Sequence, residues 1–193
     1  MKRSTQRGFT LVELLVVIAI IGVFAGILFG LNSGTYGGNP KNTAEQWAYQ
    51  FNACKMRAVS TRRWHLCEIT PTQFTMYQWS NTGMNNPSGT CSSGPPITNC
   101  WQTVSQTKTE TNVLAFNAST TVYATGGATV TQNAALDFFF YFKPDGSAVS
   151  AATANTYTGG TGGTVFIGDA KATQQWRVVV YHATGGSYAR AGW

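Results

Sequence analysis

Three regimes of hydrophobic patterning follow one another along the chain. Residues 9–31 are almost wholly apolar, with a single charge at Glu13. A helix of this length, rising 1.5 Å per residue, covers the roughly 30 Å hydrocarbon core of a bilayer. In the second regime, Ala44, Trp47, Ala48, Phe51, Cys54 and Ala58 recur at i, i+3, i+4, i+7 spacing. That stripe predicts an amphipathic helix ending near Arg63, with one face packed on a sheet. Between the two lie Gly30, Gly34, Gly37, Gly38 and Pro40, which predict a break, with helix resuming from a cap at Asn42 or Thr43.

After Arg63 the period changes. Short β-prone runs are predicted at 64–70, 74–79, 113–117, 120–123, 136–142, 164–167 and 176–182. Turn residues separate them, as at Thr70-Pro71-Thr72, Lys143-Pro144-Asp145-Gly146 and Gly185-Gly186. The run of five aromatic residues from Phe138 to Phe142 reads as a central strand buried on both faces. The fold class expected is α+β, a long N-terminal helix with an apolar first half and an amphipathic second half packed on an antiparallel, meandering β-sheet head. Residues 153–163 read as a Gly/Thr-rich loop.

Charge decides the orientation of the apolar run. Lys2, Arg3 and Arg7 precede it, so the amino terminus stays cytoplasmic and everything after residue 31 crosses the membrane. A cleaved secretory signal would have a shorter apolar core and a small-residue site at its far end, which the sequence lacks. A plain anchor leaves Glu13 unexplained, because a carboxylate in a membrane helix costs about 2.5–3.5 kcal/mol at the centre, less near an end, and asks for a cation. The formal charge of +6 shrinks to +3 once the three leading cations are set aside. Only 10% of residues are charged, against roughly 25% in ordinary soluble proteins. Such a composition suits a secreted or surface module better than a nucleic-acid binder. Arg57, Arg62 and Arg63 are read as cations at a helix carboxyl end, where the macrodipole favours them.

The residues Gly8-Phe9-Thr10-Leu11-Val12-Glu13 resemble the cleavage site of type IV prepilins and type II secretion pseudopilins. The resemblance implies a leader at 1–8, a transmembrane and filament-core helix at 9–31, a Gly-rich break followed by an amphipathic helix at 32–63, and a β head at 64–193. It further implies cleavage by prepilin peptidase between Gly8 and Phe9, N-methylation of Phe9, and pairing of Glu13 with the amino terminus of an adjacent subunit. Gly22, Gly26 and Gly30 are spaced by four on one helical face, a pattern that lets helix backbones approach closely.

A second resemblance, to GspH/FimT-type minor pilins, lies in Ala58-Val59-Ser60-Thr61-Arg62-Arg63, in the turn Phe142-Lys143-Pro144-Asp145-Gly146, and in Arg177-Val178-Val179-Val180 with Thr184-Gly185. It implies a minor type IV pilin that joins or primes a pilus and works with other pilins, the peptidase and the inner-membrane assembly platform. The head would be periplasmic before assembly. A minor pseudopilin of type II secretion is the alternative, and a tip-displayed DNA-binding module is another. Some FimT-like pilins bind DNA after the last strand. Here that segment reads Gly185-Gly186-Ser187-Tyr188-Ala189-Arg190, making Arg190 and Tyr188 candidate DNA contacts beside Trp193, with a solvated tail as the plainer reading.

Four cysteines, at 54, 67, 91 and 100, lack the Cys-x-x-Cys spacing of a zinc site. Beyond the membrane, disulfides are the default. Cys91 and Cys100 close a short loop, and Cys54 with Cys67 would tie the helix to the first strand. His65 and His182 fall in no nucleophile, metal or phosphate motif, so neither enzymatic activity nor a cofactor is expected.

Overall fold

The computed structural model describes residues 11–12, 14–21, 38–80, 100–109, 112–122, 130, 137–151 and 161–192. The chain divides into two units, Met1–Gly37 and Gly38–Trp193. In the first, residues 11–12 and 14–21 are helical and form α1. Among the described residues no helix is long and apolar enough to cross a membrane.

The second unit, the head, opens on α2, Pro40–Thr61. Its start corrects the expectation of a cap at Asn42 or Thr43. Asn39 is the cap, its side chain accepting from the Lys41 N–H at 3.0 Å. Pro40 occupies the first helical position, where the missing N–H costs nothing and the fixed φ is already helical. The same proline that argued for a break therefore begins the helix. At the other end Arg62 adopts a left-handed conformation, φ 52°, and its N–H turns back to Ala58 and Val59. The predicted stripe Ala44, Trp47, Ala48, Phe51, Cys54 and Ala58 is buried, joined by Pro40 and Thr43.

Nine strands follow: β1 His65–Thr70, β2 Gln73–Trp79, β3 Trp101–Lys108, β4 Val113–Ser119, β5 Phe138–Phe142, β6 Ala148–Ala151, β7 Gly163–Asp169, β8 Gln175–Val180 and β9 Ser187–Ala191. They form two antiparallel sheets, one in the order β3-β2-β1-β5-β6 and one in the order β4-β7-β8-β9, rather than a single meander. α2 lies over the inner faces of both. Cys67, Ile69, Phe74, Met76, Phe138, Phe140 and Phe142 from the first sheet share one core with Val113, Ala115, Val165, Ile167, Val178 and Val180 from the second. Phe51 is its hub, with ring centroids 4.9 Å from Phe74 and 4.8 Å from Phe140, both edge-on. All five residues of β5 are buried, as a strand covered on both faces requires. On the outer face of the first sheet, Trp64, Leu66, Tyr77, Trp79, Trp101, Phe139 and Tyr141 make a second aromatic cluster.

Three strands escape the hydrophobic pattern, and each has a local reason. β3 is an edge strand whose middle is polar and largely exposed. β6 has four residues and returns from the 143–147 turn, which closes through Lys143 N–H to Ser147 O and Gly146 at φ 85°. β9 was expected as a solvated tail, yet it pairs along β8 from Val180↔Ser187 to Trp176↔Ala191. Residues 120–122 bend instead of extending, because the Ser119 hydroxyl accepts from the Thr121 N–H at 3.2 Å and competes with a ladder.

Two contacts lock the last hairpin to the rest. Asn52 on α2 donates to Ser187 O at 3.1 Å and accepts from Ser187 N–H at 3.2 Å, while the Ser187 hydroxyl donates to Ala48 O at 2.7 Å. Gly185, at φ 57°, sits so close to the 143–147 turn that a Cβ there would fall 2.2 Å from the Gly146 carbonyl oxygen.

Candidate functional site

Gly8, Phe9, Glu13, Gly22, Gly26 and Gly30, the residues expected to govern processing and helix packing, lie outside the described residues. Their described neighbours on α1 present apolar side chains outward: Leu11, Val12, Leu14, Leu15, Ile18 and Ile21 are all at least half exposed. A helical surface of this kind needs lipid or another protein to cover it.

In the head, Cys54 and Cys67 are joined by a disulfide, tying α2 to β1 inside the core. Cys100 is also disulfide-bonded, and Cys91, its expected partner, lies outside the described residues. Thiols held this way are unavailable as metal ligands, and among the described residues no group of acidic, cysteine and histidine side chains could hold a metal ion. His65 is buried, with Nδ1 3.1 Å from the Arg63 carbonyl oxygen. Burial, helped by the Arg57 charge, pulls its pKa below the ordinary value, which favours the neutral ring. His182 Nδ1 meets the Ala148 carbonyl oxygen and bridges β6 to the end of β8.

The two candidate DNA contacts sit on β9. Ala189 packs toward the core, so Tyr188 and Arg190 point to the opposite face of the sheet. Arg190 is exposed and stands in register with Arg177 on β8. Tyr188 is not an open stacking platform, because its ring already stacks on Tyr181, 5.7 Å between centroids at 27°. Trp193 lies outside the described residues.

One group went unnoticed in the sequence. Glu68, the lone acid within β1, is buried on the outer face of its sheet and accepts from the Tyr77 hydroxyl at 2.7 Å. Burial, with Asp137 alongside, pushes its pKa up to about 7, and Asp137 is raised too, chiefly by burial. The only sequence signal was a carboxylate inside an otherwise apolar run. A folded pKa above the unfolded one means that protonation favours the fold. The contribution is complete below the ordinary 4.5 and disappears as pH rises through about 7. The head should therefore melt at a higher temperature at pH 5 than at pH 8, and Glu68→Gln should flatten that difference. An unchanged pH profile in the variant would assign the slope to other groups.

Residues 3–29 match the family described as the prokaryotic N-terminal methylation motif. None of the curated proteins matches the chain. Two solved structures of the minor pseudopilin EpsH from the type II secretion system of Vibrio cholerae resemble it. One shares 14% identity at a TM-score of 0.48, covering 78% of this chain and 95% of that one. The other shares 12% identity, also at 0.48, covering 80% and 98%.

Proposed function

We propose that this chain, a type IV pilin or pseudopilin by its N-terminal methylation motif, is a minor subunit that is processed at the membrane and then joins or primes an extracytoplasmic filament. The motif itself carries the reading. Cleavage after Gly8 removes Lys2, Arg3 and Arg7 and leaves an amine on Phe9, four residues from Glu13. In a low-dielectric surrounding, that amine on one subunit and the Glu13 carboxylate of its neighbour attract strongly and set the register between them. Gly22, Gly26 and Gly30 then let the helices approach. The outward apolar side chains of α1 support this, since they are covered equally well by lipid before assembly and by other helices after it. Disulfides in the head support an extracytoplasmic location. The subunit works by packing and charge pairing rather than by catalysis.

Glu13→Ala should leave membrane insertion and cleavage intact while removing the subunit from sheared filaments. Incorporation at the wild-type level would refute the pairing role. The residual basic charge and the exposed Arg190 favour a pilus over a secretion pseudopilus. A DNA-uptake role rests on Arg190 and is read in the same strains: Arg190→Ala should lower uptake while leaving filaments normal, and unchanged uptake removes that role.

A further inference from the structure

The carboxyl end of α2 carries a concentration of charge that filament packing through α1 does not use. Arg57, Arg62 and Arg63 are exposed, and Lys55 is half-buried beside them. The register His65↔Phe142 brings Lys143 to the same corner, where its Nζ lies 5.7 Å over the Trp64 ring. The 143–147 turn packs against the helix, since a Cβ on Gly146 would sit 3.4 Å from Val59 Cγ2 and 3.6 Å from Lys55 Cε. Lys55 and Lys143 thus flank the turn's one carboxylate, Asp145, while Arg57, Arg62 and Arg63 follow Lys55 along the end of the helix. Among the described residues none of the five is in an ion pair. In a chain with 10% charged residues, that grouping is conspicuous. The plain reading, cations soothing a helix dipole, finds no basic residue in the last turn of α2, where Arg62 is the cap and Arg63 lies beyond it. It does not account for Lys143, which arrives from another strand.

Apolar side chains accompany the charges. Met56 is 64% exposed and Val59 43%, on the face of α2 that also carries Ser60, a turn before the left-handed Arg62 ends the helix. Met and Arg around an apolar centre with a charged rim are what protein interfaces display. We propose that the carboxyl end of α2 and the 143–147 turn form a docking surface for an acidic face of another, non-identical filament subunit. The proposal rests on the filament reading above and adds the site and the chemistry of the partner.

Three observations select that occupant. A second copy docked through the same corner would set like charges against one another, and docked head to tail it has little acid to offer, since residues 38–193 carry only six carboxylates and Glu68 is buried. Asp145 remains ionised within the cluster, held low by hydrogen bonds from the Ser147 hydroxyl and N–H and by Lys143, so the matching surface needs a cation among its acids, which a uniformly anionic phosphate polymer lacks. The rings near the corner are covered rather than exposed, Trp64 being 8% accessible, so nothing offers a base a stacking surface. A folded, mainly acidic face with an apolar spot and one cation to answer Asp145 fits all of these.

The test uses the full-length chain in its own cells, with a photoreactive amino acid in place of Ser60 and, as control, in place of the exposed Thr173. The expected result is an adduct from position 60, and none from 173, to a different subunit bearing the N-terminal methylation motif, joined within an acidic segment. Arg62→Glu with Arg63→Glu should lower its yield roughly tenfold, while Arg62→Lys with Arg63→Lys should keep it. Equal melting temperatures of the two double variants exclude misfolding. Adducts only to the same chain or to nucleic acid, or a yield indifferent to charge reversal, would overturn the proposal. Processing and filament content are scored in parallel. Absence from filaments with the adduct intact sinks the filament reading alone, and normal incorporation without an adduct sinks the docking surface alone.

Discussion

Phe51→Ala should destabilise the Gly38–Trp193 head by about 3–5 kcal/mol, the range for truncating a buried aromatic, measured by urea unfolding. Phe51 is completely buried, and its ring touches Phe74 on β2 and both Phe140 and Phe142 on β5. It is thus the side chain through which α2 holds the centre of the first sheet. Collapse around the hole is resisted because the neighbouring rings are themselves pinned in β5, all of which is buried. Edge-on ring pairs add their own increment beyond area burial. A loss below about 1 kcal/mol would mean that the helix is anchored elsewhere, by the Cys54–Cys67 disulfide above all.

Gly185→Ala should also weaken the head, by at least about 2 kcal/mol. A left-handed φ alone costs a Cβ-bearing residue about 1–2 kcal/mol, and here the added carbon would fall 2.2 Å from the Gly146 oxygen. That neighbour is backbone and belongs to a turn already fixed by Asp145 and Ser147. Relief therefore requires the two turns to part. Gly192 provides the control, because it has positive φ but nothing within 4 Å of its would-be Cβ. Gly192→Ala should cost only the backbone term, and equal losses at the two positions would refute the interlocking of the turns.

What could be read in the sequence was what is contiguous or periodic. The methylation motif is a run of adjacent residues, and the α2 stripe repeats at the helical period. β5 announced itself by composition. Boundaries and edges were harder for physical reasons. Pro40 reads in the sequence as a breaker but starts α2, and the difference lies in Asn39, whose capping bond no periodicity reports. β3 and β9 are edge strands without a full apolar face, so alternation is weak where only one side is covered. The basic corner and the Glu68–Asp137 pair depend on pairing between β1 and β5. Register places Ile69 opposite Phe138 and His65 opposite Phe142, drawing together residues some seventy to eighty positions apart. Nothing local could have signalled either.

The Asn52 carboxamide has a meaning beyond holding the last hairpin. β9 ends its sheet, and a bare strand edge is a template on which another chain can extend the ladder. By satisfying both the N–H and the carbonyl oxygen of Ser187, Asn52 occupies the first rung that an incoming strand would use, and it does so from a helix that cannot peel away without unpacking the core. The single carboxamide thus closes that rung of the edge to an incoming strand, so this end of the sheet resists the ladder extension that seeds aggregation.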